Sequence, residues 1–154
     1  MDAPINLFTS QSERPDILRA TWGIFKEILL QGELPPTLKQ MIAMTIAMQN
    51  NCRYCTVAHT SALESMGVPK ELIQSCAKDP DLADVPPPQR SILKFGLKIA
   101  QDPKSVTDED VRALRDQGLS DGEIIEVVML AATANFFETW AAVSAITIEG
   151  KEAS

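Results

Sequence analysis

The candidate site lies in the segment Asn51-Cys52-Arg53-Tyr54-Cys55-Thr56-Val57-Ala58-His59. This segment holds two of the three cysteines and the one histidine of the 154-residue chain. The preceding segment, Pro35 to Met48, has apolar residues at helical spacing. The turn-forming pair Asn50-Asn51 then interrupts that pattern. A second helix is therefore predicted from Cys52 to about Ser65, and Gly67 supplies its stop.

Helical spacing extends along the rest of the chain, whereas the alternation and hairpin turns that mark strands are missing. The sequence therefore predicts an all-α fold, and the length favours one domain over residues 1–154. The other predicted helices are Pro15 to Leu30, a short helix after Pro69, Gln89 to Gln101, Thr107 to Gln117 and Ile124 to Ile146. A weak capping box precedes the helix at Thr107, and the clearer box Ser120-Asp-Gly-Glu123 precedes the last helix. The segment from Asp79 to Pro88 is predicted to be an exposed crossover.

The last of these helices, Ile124 to Ile146, is apolar on nearly every side, which predicts burial all round. In a chain this small, full burial is easiest where part of the helix meets another subunit, so we expect a homo-oligomer with this helix near the interface. Its longest uncharged stretch, Val127 to Phe137, is shorter than the roughly 20 residues of a membrane span, so no transmembrane segment is predicted.

Composition and charge exclude several classes of function. Lys and Arg number 14 against 21 Asp and Glu, and the net charge of -7 argues against binding nucleic acid or an anionic membrane surface. Three cysteines do not make a disulfide framework. The start at Met1 has no basic region leading into an apolar signal segment, so a cytoplasmic location is expected.

The cysteine motif has a physical arrangement that suits redox chemistry. At about 100° per residue, Cys55 lies about 60° and His59 about 20° from the direction of Cys52, so the three side chains share a helix face. A thiol in the first helical turn is stabilised as thiolate, which brings its pKa from about 8.5 into a range of about 3.5 to 7.5. Arg53 adds a nearby cation. The spacing allows a disulfide within one turn, and His59 can accept or return a proton.

Two other interpretations of these thiols remain open at this point. The pair and the histidine can be zinc ligands with Cys76 as the fourth, although structural zinc usually draws its ligand pairs from separated elements. The thiols can also be inert and buried. We favour the redox pair, with no metal; Cys76 alone is predicted to be a core residue. The stripe Met41, Met44 and Met48 is interpreted as core packing, not as a metal site.

The segments Leu34-Pro-Pro-Thr-Leu-Lys-Gln-Met-Ile-Ala-Met44 and Asn51 to Thr60 resemble the core of the carboxymuconolactone decarboxylase superfamily, in its alkylhydroperoxidase D (AhpD)-like branch. The likeness extends over most of the chain, as far as the Asn135-Phe-Phe stretch. It implies an all-helical bundle of about six to eight helices that forms trimers or hexamers. It also implies a thiol-dependent peroxidase or disulfide reductase.

The resemblance also implies roles for individual residues. Cys55 would be the peroxidatic cysteine, Cys52 the resolving cysteine, and His59 the residue that relays protons. The substrate would be a hydroperoxide, and no cofactor is expected. Because no Gly-rich dinucleotide or flavin signature is visible, the electrons would come from another dithiol or disulfide partner. The cysteine pair argues against lactone decarboxylation.

One residue departs from the family pattern. The relay glutamate lies twelve residues before the first cysteine, and that position is Gln40 here, which cannot exchange a proton at neutral pH. Glu138 on the long helix is a candidate substitute. The alternative hypothesis is a non-catalytic oligomeric protein or a redox sensor with weakened activity. A third, with a small aromatic or lactone ligand, has no basic anchor motif to recommend it.

Overall fold

The computed structural model describes residues 5–149, apart from the side chain of Leu82, and every regular element in that range is helical. The all-α prediction is therefore confirmed for those residues. The α-helices are α1 (Asn6–Thr9), α2 (Pro15–Phe25), α3 (Pro36–Gln49), α4 (Arg53–Ser65), α5 (Lys70–Lys78), α6 (Pro87–Gln101), α7 (Asp108–Asp116) and α8 (Asp121–Val143), with a π-helical turn at Lys26–Leu30 and 3₁₀ turns at Pro80–Leu82 and Pro103–Ser105.

Helix α3 is the centre of the fold. All ten residues from Leu38 to Ala47 are buried, and the helix packs against α4, α5, α6 and α8. Met41 and Met44 belong to this core as predicted, whereas Met48 at its end is exposed. Because α3 carries the position of the family glutamate and leads into the cysteine motif, a deeply buried helix supports the candidate site.

Helix α8 is buried along one face in the single chain, and the burial of its other face against a second subunit stays a prediction. Its inward face is buried, but the other face of the single chain is exposed at Ile125, Val128, Met129, Phe136, Trp140 and Val143. The helix is long and apolar enough to cross a membrane by length and composition alone, yet half of its most apolar window is buried in the fold. It therefore packs as a core helix along one side and leaves an apolar stripe on the other.

The first long helix lies where the sequence predicts, as α2 continued by the π-helical turn. Its buried face is narrower than the apolar face that the sequence predicts. Helical spacing predicts an apolar face formed by Ile17, Leu18, Thr21, Trp22, Phe25, Ile28 and Leu29. Of these residues Thr21 and Leu29 are buried, whereas Ile17 and Trp22 are exposed. Trp22 instead lies at the edge of an aromatic cluster, with its ring centroid 5.2 Å from that of Phe8. Only part of the predicted apolar face of this helix is therefore buried.

Capping agrees with the sequence at both predicted boxes. The Thr107 box at the start of α7, predicted as weak, is complete, because Asp110 returns the hydrogen bond to the cap. The Ser120 box at the start of α8 is complete in the same way through Glu123. Each box satisfies amide groups that would otherwise lack partners in the first helical turn.

A buried ion pair joins the start of α3 to α8. The Lys39 side chain is almost fully buried, and its Nζ lies 2.7 Å from Glu126 Oε2. Lys39 also donates to the carbonyl oxygens of Ile28 and Gln31 at the end of the π-helical turn, and Glu126 accepts from the backbone N–H groups of Glu33 and Leu34. The pair thus satisfies backbone groups on both sides of the loop between α2 and α3.

Candidate active site

The turn before α4 places both cysteines at a helix N-terminus. Asn51 adopts a φ of 57°, in the left-handed region that Asn tolerates better than most residues. The Cys52 N–H donates to the Ala47 carbonyl at 2.9 Å, and Cys52 is the N-cap of α4. The helix predicted to begin at Cys52 is therefore present, with Cys52 in the capping position and Cys55 in the first turn.

The two thiols are reduced, and their surroundings favour ionisation of Cys52 over that of Cys55. The Cys55 N–H donates to Cys52 Sγ at 3.4 Å. A hydrogen bond from the Cys55 thiol, together with this backbone contact, lowers the pKa of Cys52 to about 7 despite its partial burial. The same bond and burial raise the pKa of Cys55, which is 5% exposed. The first ionisation of the pair therefore places the charge on the more exposed sulfur, Cys52.

His59 is held by the residue that departs from the family pattern. Its Nδ1 lies 2.7 Å from Oε1 of the buried Gln40, so Nδ1 carries the hydrogen and Nε2 is left as the acceptor. Part of the His59 side chain reaches solvent in the single chain, yet burial of the ring lowers its pKa to about 4. The contact expected of a relay pair is present, but it lacks the carboxylate that would stabilise an imidazolium ion.

Glu138 lies on the inward face of α8 and is tied to the turn before Cys52. Its Oε2 accepts a hydrogen bond of 2.6 Å from Asn50 Nδ2, which also donates to Asn135 Oδ1 at 2.9 Å. Its Oε1 is buried without a hydrogen-bond partner. Burial raises the pKa of Glu138, and the charge of its carboxylate raises the pKa of both Cys52 and Cys55. The structure thus brings Glu138 to the cysteine pair.

The surroundings of Cys55 are apolar and come from distant parts of the chain. Cys55 is buried in a cluster with Leu7, Phe8, Ala47, Tyr54, Phe137 and Ala141, against which Ile5, Phe25, Cys52, Ile146 and Ile148 also pack. The Tyr54 hydroxyl accepts from the Leu7 N–H at 3.2 Å and donates to Glu149. The sequence did not predict α1, because four residues are too short to show helical periodicity.

Cys76 is separate from the pair. It lies on α5 with no exposed surface and belongs to the main core, whereas Cys52 and Cys55 pack in the other cluster. Its predicted role as a core thiol is confirmed. Within residues 5–149, no three His, Cys, Asp or Glu side chains are grouped so that they could hold a metal ion. Cys76 thus does not provide the fourth ligand that the zinc interpretation requires.

Comparison with known proteins gives consistent results. Residues 15–84 match the carboxymuconolactone decarboxylase family. An alkyl hydroperoxide reductase from Mycobacterium tuberculosis is 35% identical over 51 residues, which cover 33% of this chain and 15% of that protein. The match thus spans a small part of that relative's length.

Solved structures match nearly the whole chain. A peroxidase-related protein from Ralstonia eutropha, described as an alkylhydroperoxidase AhpD core, has a TM-score of 0.88 and 27% identity, covering 95% of this chain and 77% of that one. The debrominase Bmp8 bound to 2,3,4-tribromopyrrole shares the fold with a TM-score of 0.83 at 22% identity, covering 96% of this chain and 79% of that one. With the family match over residues 15–84 and this fold throughout, the chain is similar to the carboxymuconolactone decarboxylase superfamily and has the AhpD-like helical architecture.

Proposed function

We propose that the protein is a thiol-dependent oxidoreductase that reduces hydroperoxides, or a partner disulfide, with the Cys52–Cys55 pair. The observation that carries this proposal is the position of Cys52 as the N-cap of α4, where its sulfur accepts a hydrogen bond from the backbone N–H of Cys55. A sulfur with a pKa of about 7 is substantially ionised at neutral pH, and the thiolate is the reactive form.

The reaction is a two-electron exchange. One sulfur attacks a peroxide oxygen and breaks the O–O bond, which gives a sulfenic acid and an alkoxide that takes up a proton. The second sulfur attacks the sulfenic sulfur and expels hydroxide, which leaves as water after gaining a proton. Two thiols and one hydroperoxide thus become one disulfide, one alcohol and one water. A donor dithiol reduces the disulfide again by thiol–disulfide exchange.

The two sulfurs face different surroundings, which suits them to different partners. Cys52 is partly exposed, so it is the sulfur that a bulky disulfide or dithiol can reach, whereas Cys55 faces the apolar cluster. The resemblance assigns the first attack on a hydroperoxide to Cys55, with Cys52 resolving. In that order the Cys55 proton must first pass to Cys52 along the bond between the two thiols, because the resting charge lies on Cys52.

The test is consumption of an organic hydroperoxide by the reduced protein with a small dithiol as electron donor. We expect repeated turnover, and we expect Cys76→Ala to match the wild type because the core thiol lies in a different cluster. Reaction of one equivalent of peroxide without recycling would favour a redox sensor. Absence of any reaction, with thiols that resist native alkylation, would overturn the proposal in favour of a non-catalytic protein.

Restoring a carboxylate beside His59 tests whether it matters that Gln40 stands at the position of the family's relay glutamate. In Gln40→Glu the carboxylate lies at the ring Nδ1, so it should raise the pKa of His59 from about 4 toward its ordinary value. Because the chain has a single histidine, NMR titration of its ring protons is unambiguous. We expect peroxide reduction to become faster by about tenfold. An unchanged rate with a raised pKa of His59 would contradict a proton-relay role for this pair.

The uncovered stripe of α8 supports assembly of several copies. An apolar surface of this kind is unusual on a monomer and is removed from water when identical subunits pack on it. We propose that the protein forms a homotrimer or homohexamer through this face, the assemblies that the resemblance implies, and that it works in the reducing cytoplasm. Neither nucleic acid nor a membrane is part of this proposal.

A further inference from the structure

Glu138 has the features of a functional carboxyl group and lacks those of a structural one. It is 7% exposed and its Oε1 has no hydrogen-bond partner, unlike Glu126 on the same helix, which is fully engaged by Lys39 and backbone N–H groups. A buried, half-satisfied carboxyl group is costly for stability. Such a cost points to a role in which the free oxygen acts.

Its carboxyl group is tied to the turn that leads into the cysteine motif. Two of its neighbours on α8, Phe137 and Ala141, pack in the cluster that contains Cys55. Asn50 holds Oε2, and Asn50 is two residues before Cys52. Asn135, which shares the Asn50 amide group, is itself anchored to the Ala100 carbonyl on α6 at 2.8 Å. The carboxyl group is therefore fixed from α6, α8 and the turn that leads into the motif.

We propose that Glu138 is the group that exchanges protons with the Cys52–Cys55 pair, a role for which Gln40 has no ionisable group. This inference rests on the proposed redox function of the pair. Glu138 in its protonated form, which burial favours, gives its proton to the alkoxide that leaves when the O–O bond breaks. The resulting carboxylate then takes the proton of the resolving thiol and passes it to the departing hydroxide. Glu138 regains a proton when the donor dithiol reduces the disulfide.

The two cysteines are the titratable groups whose pKa values the charge of Glu138 changes. Its charge raises both pKa values, while His59 on α4, with a pKa of about 4, is neutral at pH 7. Among the basic side chains on the helices packed against α8, Lys39 of α3 pairs with Glu126, Lys98 of α6 with Asp110, and Arg115 of α7 with Asp121, while Arg53 of α4, next to Cys52, is exposed. Burial is accordingly the main cause that raises the pKa of Glu138.

The test is Glu138→Gln, which keeps the shape and an oxygen that can accept from Asn50 but cannot exchange a proton. Ultraviolet titration of the reduced protein should show the pKa of Cys52 falling below about 7, because the negative charge that the ionised form of Glu138 contributes is gone. Single-turnover disulfide formation with an organic hydroperoxide should nevertheless slow by about 10²-fold. Slower reaction with more thiolate present cannot result from a loss of the nucleophile.

Two further variants complete the design. Glu138→Asp retains an exchangeable proton and should recover part of the rate and the dependence on pH, which a purely structural role does not predict. Glu71→Gln, which changes an exposed carboxyl group on α5, should match the wild type.

If the wild type forms the disulfide and Glu138→Gln forms it as fast, the Glu138 inference is wrong. If the wild type forms none, the redox function itself fails. If Glu138→Gln does not fold, the rate and pH profile of Glu138→Asp decide the matter, and a rate lowered by the full 10²-fold with the pH dependence of the wild type lost would contradict the inference.

Discussion

Replacing Cys55 with serine is expected to trap a mixed disulfide at Cys52 when the protein meets a small disulfide, and to lower peroxidase turnover by roughly 10³-fold or more. Cys52 is partly exposed and has a pKa of about 7, so its thiolate attacks the added disulfide. In the wild type, Cys55 then displaces the bound fragment. Without that second sulfur the adduct persists, and intact-mass measurement detects it as one added fragment per chain.

Cys52→Ser is the matched variant. It should lose turnover to a similar extent, yet accumulate little adduct, because the remaining Cys55 is buried in an apolar cluster that raises its pKa. Cys76→Ala in either background should change nothing. Equal trapping at Cys55 and Cys52 would show that the asymmetry of the pair has no chemical consequence. Trapping at Cys76 would show that the main core opens readily.

Replacing Lys39 with methionine should lower the free energy of unfolding by about 3–5 kcal/mol, the effect of breaking a buried ion pair on one side. The substitution leaves Glu126 as a poorly compensated carboxylate and removes the donor to the carbonyl groups of Ile28 and Gln31. Chemical denaturation followed by circular dichroism measures the change. The loss should be similar in oxidised and reduced protein, since the ion pair does not involve the cysteines.

Lys94→Met is the control for Lys39→Met. Lys94 makes an ion pair with Asp81 at 2.8 Å, but both side chains are more than half exposed, so the change should cost less than about 1 kcal/mol. If the two variants were equally stable, the buried pair would not support the loop between α2 and α3 as described.

The same ion pair predicts how stability depends on pH. Burial alone would raise the pKa of Glu126, but Lys39 and two backbone N–H groups outweigh it and leave the pKa lowered in the folded state. This carboxylate therefore contributes stability above its ordinary pKa, and the contribution is lost as the pH falls through the lowered pKa. The acid-side loss should be smaller in Lys39→Met.

Local signals in the sequence were sufficient for most of the fold. Periodicity and capping residues located α2 to α8, because each helix carries its own start and stop residues. The shared face of Cys52, Cys55 and His59 also follows from spacing alone, since all three belong to one helical segment. What could be predicted was therefore what depends on residues close together in the chain.

The parts that could not be predicted depend on contacts between distant segments. Helix α3 and helix α8 are both strongly apolar, and only packing makes α3 the fully buried one. Lys39 lies within a run of buried residues, and no local sequence pattern predicts its ion pair with Glu126. Glu138 was suggested as an alternative acid, but its approach to the cysteines comes from the packing of α8 against the turn at Asn50.

The most direct test of the central claim, that Cys52 and Cys55 are a redox pair, is peptide mapping by mass spectrometry after one equivalent of an organic hydroperoxide reacts with the reduced protein. We predict that Cys52 and Cys55 lose their two thiol hydrogens to form one disulfide within a single chain, while Cys76 stays a free thiol. A map in which both cysteines remain reduced, or in which Cys76 is the oxidised residue, would contradict the account.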